Sequence, residues 1–118
     1  MAYLLFKLYK GDIDSRHLEK VVNTFLNENS FADVRVRSQS SYLITMKSEI
    51  IDLGKISPSK LVMKITNPTK LSIQFIQNLQ DTFHLKVHLS KINGNFPFKL
   101  RYNLVDGHKL TLEELTEN

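Results

Sequence analysis

Four histidines are the residues of this chain best suited to metal binding or proton transfer, and two of them, His84 and His88, are four residues apart. On a helix that spacing would bring both rings to one metal ion. Leu85, Val87 and Leu89 alternate with the histidines, however, and this alternation predicts a strand, on which the two histidines lie about 13 Å apart. We therefore predict no metal site and no cofactor, and we assign His88 to the polar face of a sheet.

The chain holds no catalytic or nucleotide-binding motif. Its glycines, at positions 11, 54, 94 and 107, fall near predicted turns, so there is no glycine-rich phosphate loop. There is no Gly-x-Ser-x-Gly elbow, and the lack of cysteine excludes disulfides, thiolate zinc sites and cysteine nucleophiles. Glu49 and Asp52 are interpreted as part of a solvated strand edge rather than as a nuclease cluster. We therefore predict no catalytic residues and a protein that is not an enzyme.

Lysine and arginine alternate with apolar residues along three segments, 34–37, 85–89 and 98–102. Successive side chains of a strand point to opposite faces, so each segment has one apolar face and one cationic face. Like charges directly opposite on neighbouring strands destabilise a sheet, so a bound anion would explain a cationic face. The alternative is that these are solvent-facing or edge positions, where a charge blocks unwanted strand pairing. The candidate nucleic-acid-binding residues are Arg35, Arg37, Lys86, His88, Lys99 and Arg101, with Lys7 and Tyr9 added from the first strand.

Positive charge is concentrated in residues 53–105. That segment carries a net charge of +7, whereas residues 1–52 carry none and residues 106–118 carry −3. A basic segment of this kind attracts nucleic acid, an anionic membrane or an acidic protein, but it also serves simply to keep a small domain in solution. The charge distribution therefore suits an anionic partner without distinguishing among these classes.

Hydrophobic periodicity predicts two successive units, each with a strand, a helix and further strands. Strands are predicted at about 3–9, 33–38, 42–48, 50–56, 61–66, 85–91 and 97–103, and helices around residues 18–26 and 71–83. Both helices need an apolar sheet face, so the predicted fold is α+β, a two-layer sandwich with two helices on one face of a mainly antiparallel sheet. The halves 1–56 and 57–112 suggest two pseudo-repeated βαββ(β) units, although a coincidental similarity explains the order equally well.

Short polar residues predict where the helices begin and where the chain turns. Asp14 or Ser15 is expected to cap the first helix, and Asn67 with Pro68 is expected to start the second. The spacing in residues 111–114 predicts a capping box and a short last helix. Turns are predicted at 93–95 and 106–107, and Tyr42 is assigned to the core with Tyr102 by its parity.

The paired order of elements is similar to the βαβββ modules of the vicinal oxygen chelate proteins and to the domains of sliding clamps. Chelate enzymes place His and Glu ligands on specific strands, whereas the first strand here carries no His, Asp or Glu. A clamp ring needs basic inward-facing helices, and the helices predicted here are mixed in charge. The resemblance therefore implies paired modules and neither of the two functions.

The whole chain, 1–118, is expected to form a single domain, because its length is near the commonest domain size. The apolar run at residues 3–6 is interrupted by Lys7 and is too short for a signal-peptide core or a membrane span. With no cysteine in the sequence, we expect a soluble, cytoplasmic domain that does not associate with membranes.

Three functions remain open from the sequence. The first is a non-enzymatic binding module whose basic sheet face holds DNA or RNA through phosphate contacts. The alternative is a small protein-interaction factor, inhibitory or regulatory, that docks on an acidic partner protein or pairs with itself as a homodimer. The third is a metal-free ligand cleft between the two units. The strand order decides whether the cations can share one surface.

Overall fold

The computed structural model describes residues 1–90, 100–104 and 108–116, which form seven strands and three helices. In chain order these are β1 (Ala2–Leu8), α1 (Ser15–Glu28), β2 (Asp33–Ser38), β3 (Ser41–Met46), β4 (Glu49–Ser57), β5 (Lys60–Thr66), α2 (Lys70–Thr82), β6 (Leu85–Ser90), β7 (Leu100–Leu104) and α3 (Leu112–Thr116). No helix within the described ranges is long and apolar enough to cross a membrane.

All seven strands belong to one sheet with the order β2-β3-β4-β5-β1-β6-β7, and every neighbouring pair is antiparallel. The first strand of the chain is therefore internal, between β5 and β6. This position matches its composition, because Leu4 and Phe6 are fully buried on one face of β1. An internal strand needs partners on both sides, and here both partners come from the second half of the chain.

The helices α1 and α2 pack on one face of this sheet, which confirms the predicted two-layer α+β fold. The apolar stripe of α1 and the alternate side chains of the strands share one core, in which Phe25 and Phe75 meet edge to face at 5.2 Å. Tyr42 is buried in this core, as predicted. The opposite face of the sheet, which we call the open face, carries the other half of each alternating strand.

Two of the three predicted helix starts are confirmed. The Asp14 carboxylate accepts hydrogen bonds from the first backbone N–H groups of α1, and this lowers its pKa. At α3, Thr111 and Glu114 form the predicted capping box. The predicted start of α2 is wrong: Asn67 has a φ of +53°, which is the left-handed region, and Thr69 is the cap instead. Asparagine adopts this conformation more readily than most residues, so it serves here as a turn.

The prediction that Glu49 belongs to a solvated strand edge is also wrong. Its side chain is only 3% exposed, and its carboxylate accepts hydrogen bonds from the Thr69 N–H, the Thr69 hydroxyl and the Ser72 N–H. The two N–H groups are at the first turn of α2 and have no carbonyl partner within the helix, so Glu49 adds to the capping box that Thr69 and Ser72 form there. A strand residue therefore anchors the start of α2 to the sheet.

The strand order does not confirm the predicted pseudo-repeat. After α1 the chain enters the sheet at the edge strand β2 and returns towards the centre, whereas after α2 it enters beside β1 and moves outward. The two halves also interleave, because β1 separates β5 from β6. The predicted turns at 93–95 and 106–107 lie outside the described residues.

Candidate anion-binding site

Three lysines lie directly opposite one another on the open face of the sheet. Lys7 on β1 is in register with Lys60 on β5 and with Lys86 on β6. Each alternates with buried apolar residues of its own strand, so all three side chains are on the face away from the helices. Neighbouring strands are about 4.8 Å apart, so this set, which we call the lysine row, extends across about 10 Å of sheet.

The lysine row has no anionic partner among the described residues, unlike two other cations of the domain. Arg37 forms an ion pair with Asp52, and Lys109 forms one with Asp81. No ion pair between described residues includes a member of the lysine row. Like charges directly opposite on neighbouring strands are destabilising, so the row is an uncompensated cost to the isolated domain.

His88 lies next to the lysine row on the same face, two residues beyond Lys86 on β6. Burial lowers the pKa of His88, and the positive charges of Lys7, Lys86 and Lys60 lower it further. The imidazole is therefore neutral at neutral pH. Its Nδ1 atom is buried and has no hydrogen-bond partner within the described ranges. The residue is a neutral donor or acceptor held beside three ammonium groups.

Tyr9 presents an aromatic ring beside the lysine row, two residues after Lys7 in the chain and next to Lys86. The residue is 67% exposed, and the Lys86 Nζ lies 5.6 Å from the centroid of its ring, a cation–π distance. Its backbone is held in place, because the Tyr9 N–H donates a hydrogen bond of 3.1 Å to the His84 carbonyl. The His84 ring lies 5.9 Å from the tyrosine ring, inclined at 44°. An exposed, positioned ring beside cations can stack on a planar ligand.

The structure brings together four of the candidate residues, namely Lys7, Tyr9, Lys86 and His88. It does not bring Arg35 and Arg37 to them, because both arginines are on β2 and the strands β3 and β4 lie between β2 and the lysine row. Arg101 is on β7, next to β6, but its side chain lies outside the described residues, and Lys99 is outside them altogether. The candidate cations are thus divided between two parts of the sheet.

Lys60 is not among the predicted site residues, because the predicted strand begins at residue 61, one residue after the start of β5. The signal was present in the alternation of Lys60, Val62 and Lys64 with the buried residues of β5. Even a correct strand would not have placed Lys60 beside Lys7, because register is a tertiary property. Within the described ranges no group of three or more His, Asp or Glu side chains is arranged to hold a metal ion.

The fold and this face define the chain as an α+β domain with a lysine-bearing open face on an antiparallel sheet. Comparisons with protein-family models, with curated proteins and with solved structures find no match for the chain.

Proposed function

We propose that this protein is a non-enzymatic binding module that holds nucleic acid on the lysine row through phosphate contacts. The observation that carries the proposal is the register of Lys60, Lys7 and Lys86 on three neighbouring strands. A phosphodiester backbone supplies a line of negative charges that would neutralise such a row, and the binding would relieve the repulsion between the lysines. Contacts of this kind carry little information about base sequence.

The neighbours of the lysine row favour single strands over duplexes. The exposed ring of Tyr9 can stack on an unpaired base, whereas the bases of a duplex are already stacked on one another. The ring lies beside the row, next to Lys86, so one strand could place phosphates on the lysines and a base on Tyr9. We therefore expect a preference for single-stranded DNA or RNA with little dependence on sequence.

The proposal is tested by titrating a labelled single-stranded oligonucleotide with the protein at two salt concentrations. Three phosphate contacts on a single strand give a salt slope of about −2, so affinity should fall roughly 20-fold between about 50 mM and 200 mM salt. A duplex of the same sequence should bind more weakly. No binding at the lower salt concentration, or an affinity independent of salt, would show that the row does not hold nucleic acid.

A polyglutamate chain of matched charge is the control that separates nucleic acid from an acidic protein partner. Phosphate contacts together with base stacking should favour the oligonucleotide, because polyglutamate offers nothing to stack on Tyr9. Equal affinity for the two polymers would favour the alternative function, in which the same face docks on an acidic protein.

Binding at the lysine row should take up a proton through His88. A bound phosphate neutralises Lys7, Lys86 and Lys60, which removes part of the cause that lowers the pKa of His88. In the complex, His88 is then protonated over a range of pH in which it is neutral in the free protein. Since linkage requires the protonated state to bind more tightly, affinity should rise several-fold as the pH falls from about 7.5 to 5.5.

The pH dependence is measured by titrations across that range and by calorimetry in buffers of different ionisation enthalpy. In His88→Gln the proton uptake should disappear, and in the matched control His17→Gln, on the exposed face of α1, it should remain. An unchanged pH profile in His88→Gln would assign the proton to another group and contradict this prediction.

A further inference from the structure

β2 stands at one end of the strand order. Among the described strands it pairs only with β3, so its outer side is an unused hydrogen-bonding edge of the described sheet. Among the described residues no other backbone group bonds to its outer side. An edge strand presents a row of N–H and C=O groups to which an extended chain can add.

The helix-facing side of β2 is only partly covered, because Val34 packs against the core but the next residue on that side does not. Val36 is 62% exposed although it shares its face with the core, because it lies beyond the reach of the helix. Between β2 and α1 there is a groove of about 210 Å³, and its lining includes Val22, Val34, Val36 and Tyr42. A strand added to β2 would place alternate side chains over this apolar lining.

The other side of β2 carries Asp33, Arg35 and Arg37, so the strand contributes one net positive charge to it. Arg35 is exposed and forms no ion pair with a described residue, whereas Arg37 pairs with Asp52 on the open face. Side chains directly opposite on neighbouring strands are about 5 Å apart, so an acidic residue in an added strand would lie within reach of Arg35. An added strand would therefore match this edge best with apolar side chains on the helix-facing side and acidic side chains on the other.

We propose that the β2 edge binds an extended segment of a partner protein in which apolar and acidic residues alternate. The segment adds to the sheet as an eighth strand, its apolar side chains cover Val36 and the groove, and its acidic side chains lie along Arg35 and Arg37. Backbone hydrogen bonds supply affinity, and the two faces of the edge supply the selection. This surface is independent of the lysine row, from which it is separated by β3 and β4.

A second copy of this chain fits the edge less well. Suppose that two copies pair their β2 strands antiparallel and keep both helix layers on the same side of one continuous sheet. Paired residues then face the same side, so their residue numbers are both odd or both even and have an even sum. The two such registers centred on β2 place Arg35 opposite Arg35 or opposite Arg37. The first register also places Asp33 opposite Arg37 on each strand, but in both registers Arg35 faces an arginine. An acidic residue of a partner strand would pair with Arg35 instead, which favours such a strand over a second copy.

The test uses three short synthetic peptides: one alternating Val and Glu, one with the same residues in two blocks, and one alternating Val and Lys. The alternating Val–Glu peptide should bind at least roughly tenfold more tightly than either of the others, because it alone matches both sides of the edge. Arg35→Glu should reverse the preference between the Glu and Lys peptides. Lys20→Glu, an exposed α1 residue outside this groove, changes the net charge equally and should leave the preference unchanged.

Arg35 and Val36 are both exposed, so their variants should keep the melting temperature of the wild-type protein. Equal binding of the alternating and block peptides, or a preference that Arg35→Glu does not alter, would overturn the proposal. A concentration-dependent dimer that Val36→Glu dissociates would overturn it as well, since a second copy would then occupy the edge.

Discussion

Lys7→Glu is expected to weaken the binding of single-stranded nucleic acid and, at the same time, to stabilise the folded domain. Lys7 is the middle member of the lysine row, so the substitution converts three like charges into an alternating set. A unit charge about 5 Å from a phosphate contributes about 0.8 kcal/mol in water, and reversing the charge changes the interaction by about twice that. The loss in affinity should therefore be at least roughly 15-fold, and the salt slope should become less steep.

The stability of the same variant should change in the opposite direction. The introduced carboxylate faces an ammonium group on each side, so two unfavourable cross-strand pairs become favourable. Pairs of this kind are each worth roughly 0.2–1 kcal/mol, so the free energy of unfolding should increase by about 1 kcal/mol. Urea denaturation measures this change, and oligonucleotide titration measures the loss of affinity.

Lys20→Glu is the matched control, because it makes the same change in net charge on the helix layer. It should alter affinity only slightly and should not stabilise the protein. Equal effects of the two substitutions would mean that binding depends on overall charge rather than on the lysine row. A loss of stability in Lys7→Glu would mean that the lysines are compensated by a partner within the protein.

Glu49→Ala is expected to lower the free energy of unfolding by about 2–3 kcal/mol. The substitution removes the carboxylate that accepts from the N–H groups of Thr69 and Ser72 and from the Thr69 hydroxyl, in a place where Ser72 is fully buried. The two N–H groups then keep only the capping box between Thr69 and Ser72. Hydrogen bonds to a charged acceptor are stronger than those to a neutral hydroxyl, so the capping box alone does not replace the lost carboxylate. The start of α2 also loses its attachment to β4.

Urea denaturation of Glu49→Ala and of Glu19→Ala gives the comparison. Glu19 is exposed on α1, so its replacement should change stability by no more than about 0.5 kcal/mol. Glu49→Gln keeps one acceptor oxygen and should lie between the wild type and the alanine variant. Similar losses for Glu49→Ala and Glu19→Ala would show that the buried carboxylate does not anchor the helix.

The side of the sheet on which each strand residue lies could be predicted from the sequence, because alternation is a local property of a strand. The same rule could have placed Glu49 correctly, since it shares parity with Ile51 and Leu53, which are buried. Its charge suggested exposure, but three donors at the start of α2 compensate that charge.

The position of each strand in the sheet could not be predicted, and the candidate site depends on it. The local sequence around Arg35 and Arg37 does not indicate that their strand lies at the edge of the sheet, remote from β1. The neighbours of Lys7 are set by pairings with distant strands, and so the lysine row is a product of tertiary structure. The prediction of the start of α2 was wrong for a related reason. Asn67 donates a hydrogen bond to the Ser48 carbonyl on a neighbouring turn, and this is a tertiary contact.

The internal position of β1 has a consequence for the order in which the molecule can be assembled. Leu4 pairs with Met63 and with Leu89, which are 59 and 85 residues further along the chain. Such distant pairings are closed late and slowly, since a long loop must be ordered before its contacts form. During synthesis the first strand therefore cannot pair on both sides until β5 and β6, and so most of the described chain, have been made. The lysine row is completed only at that point, so a partly made chain lacks the surface that we propose holds nucleic acid.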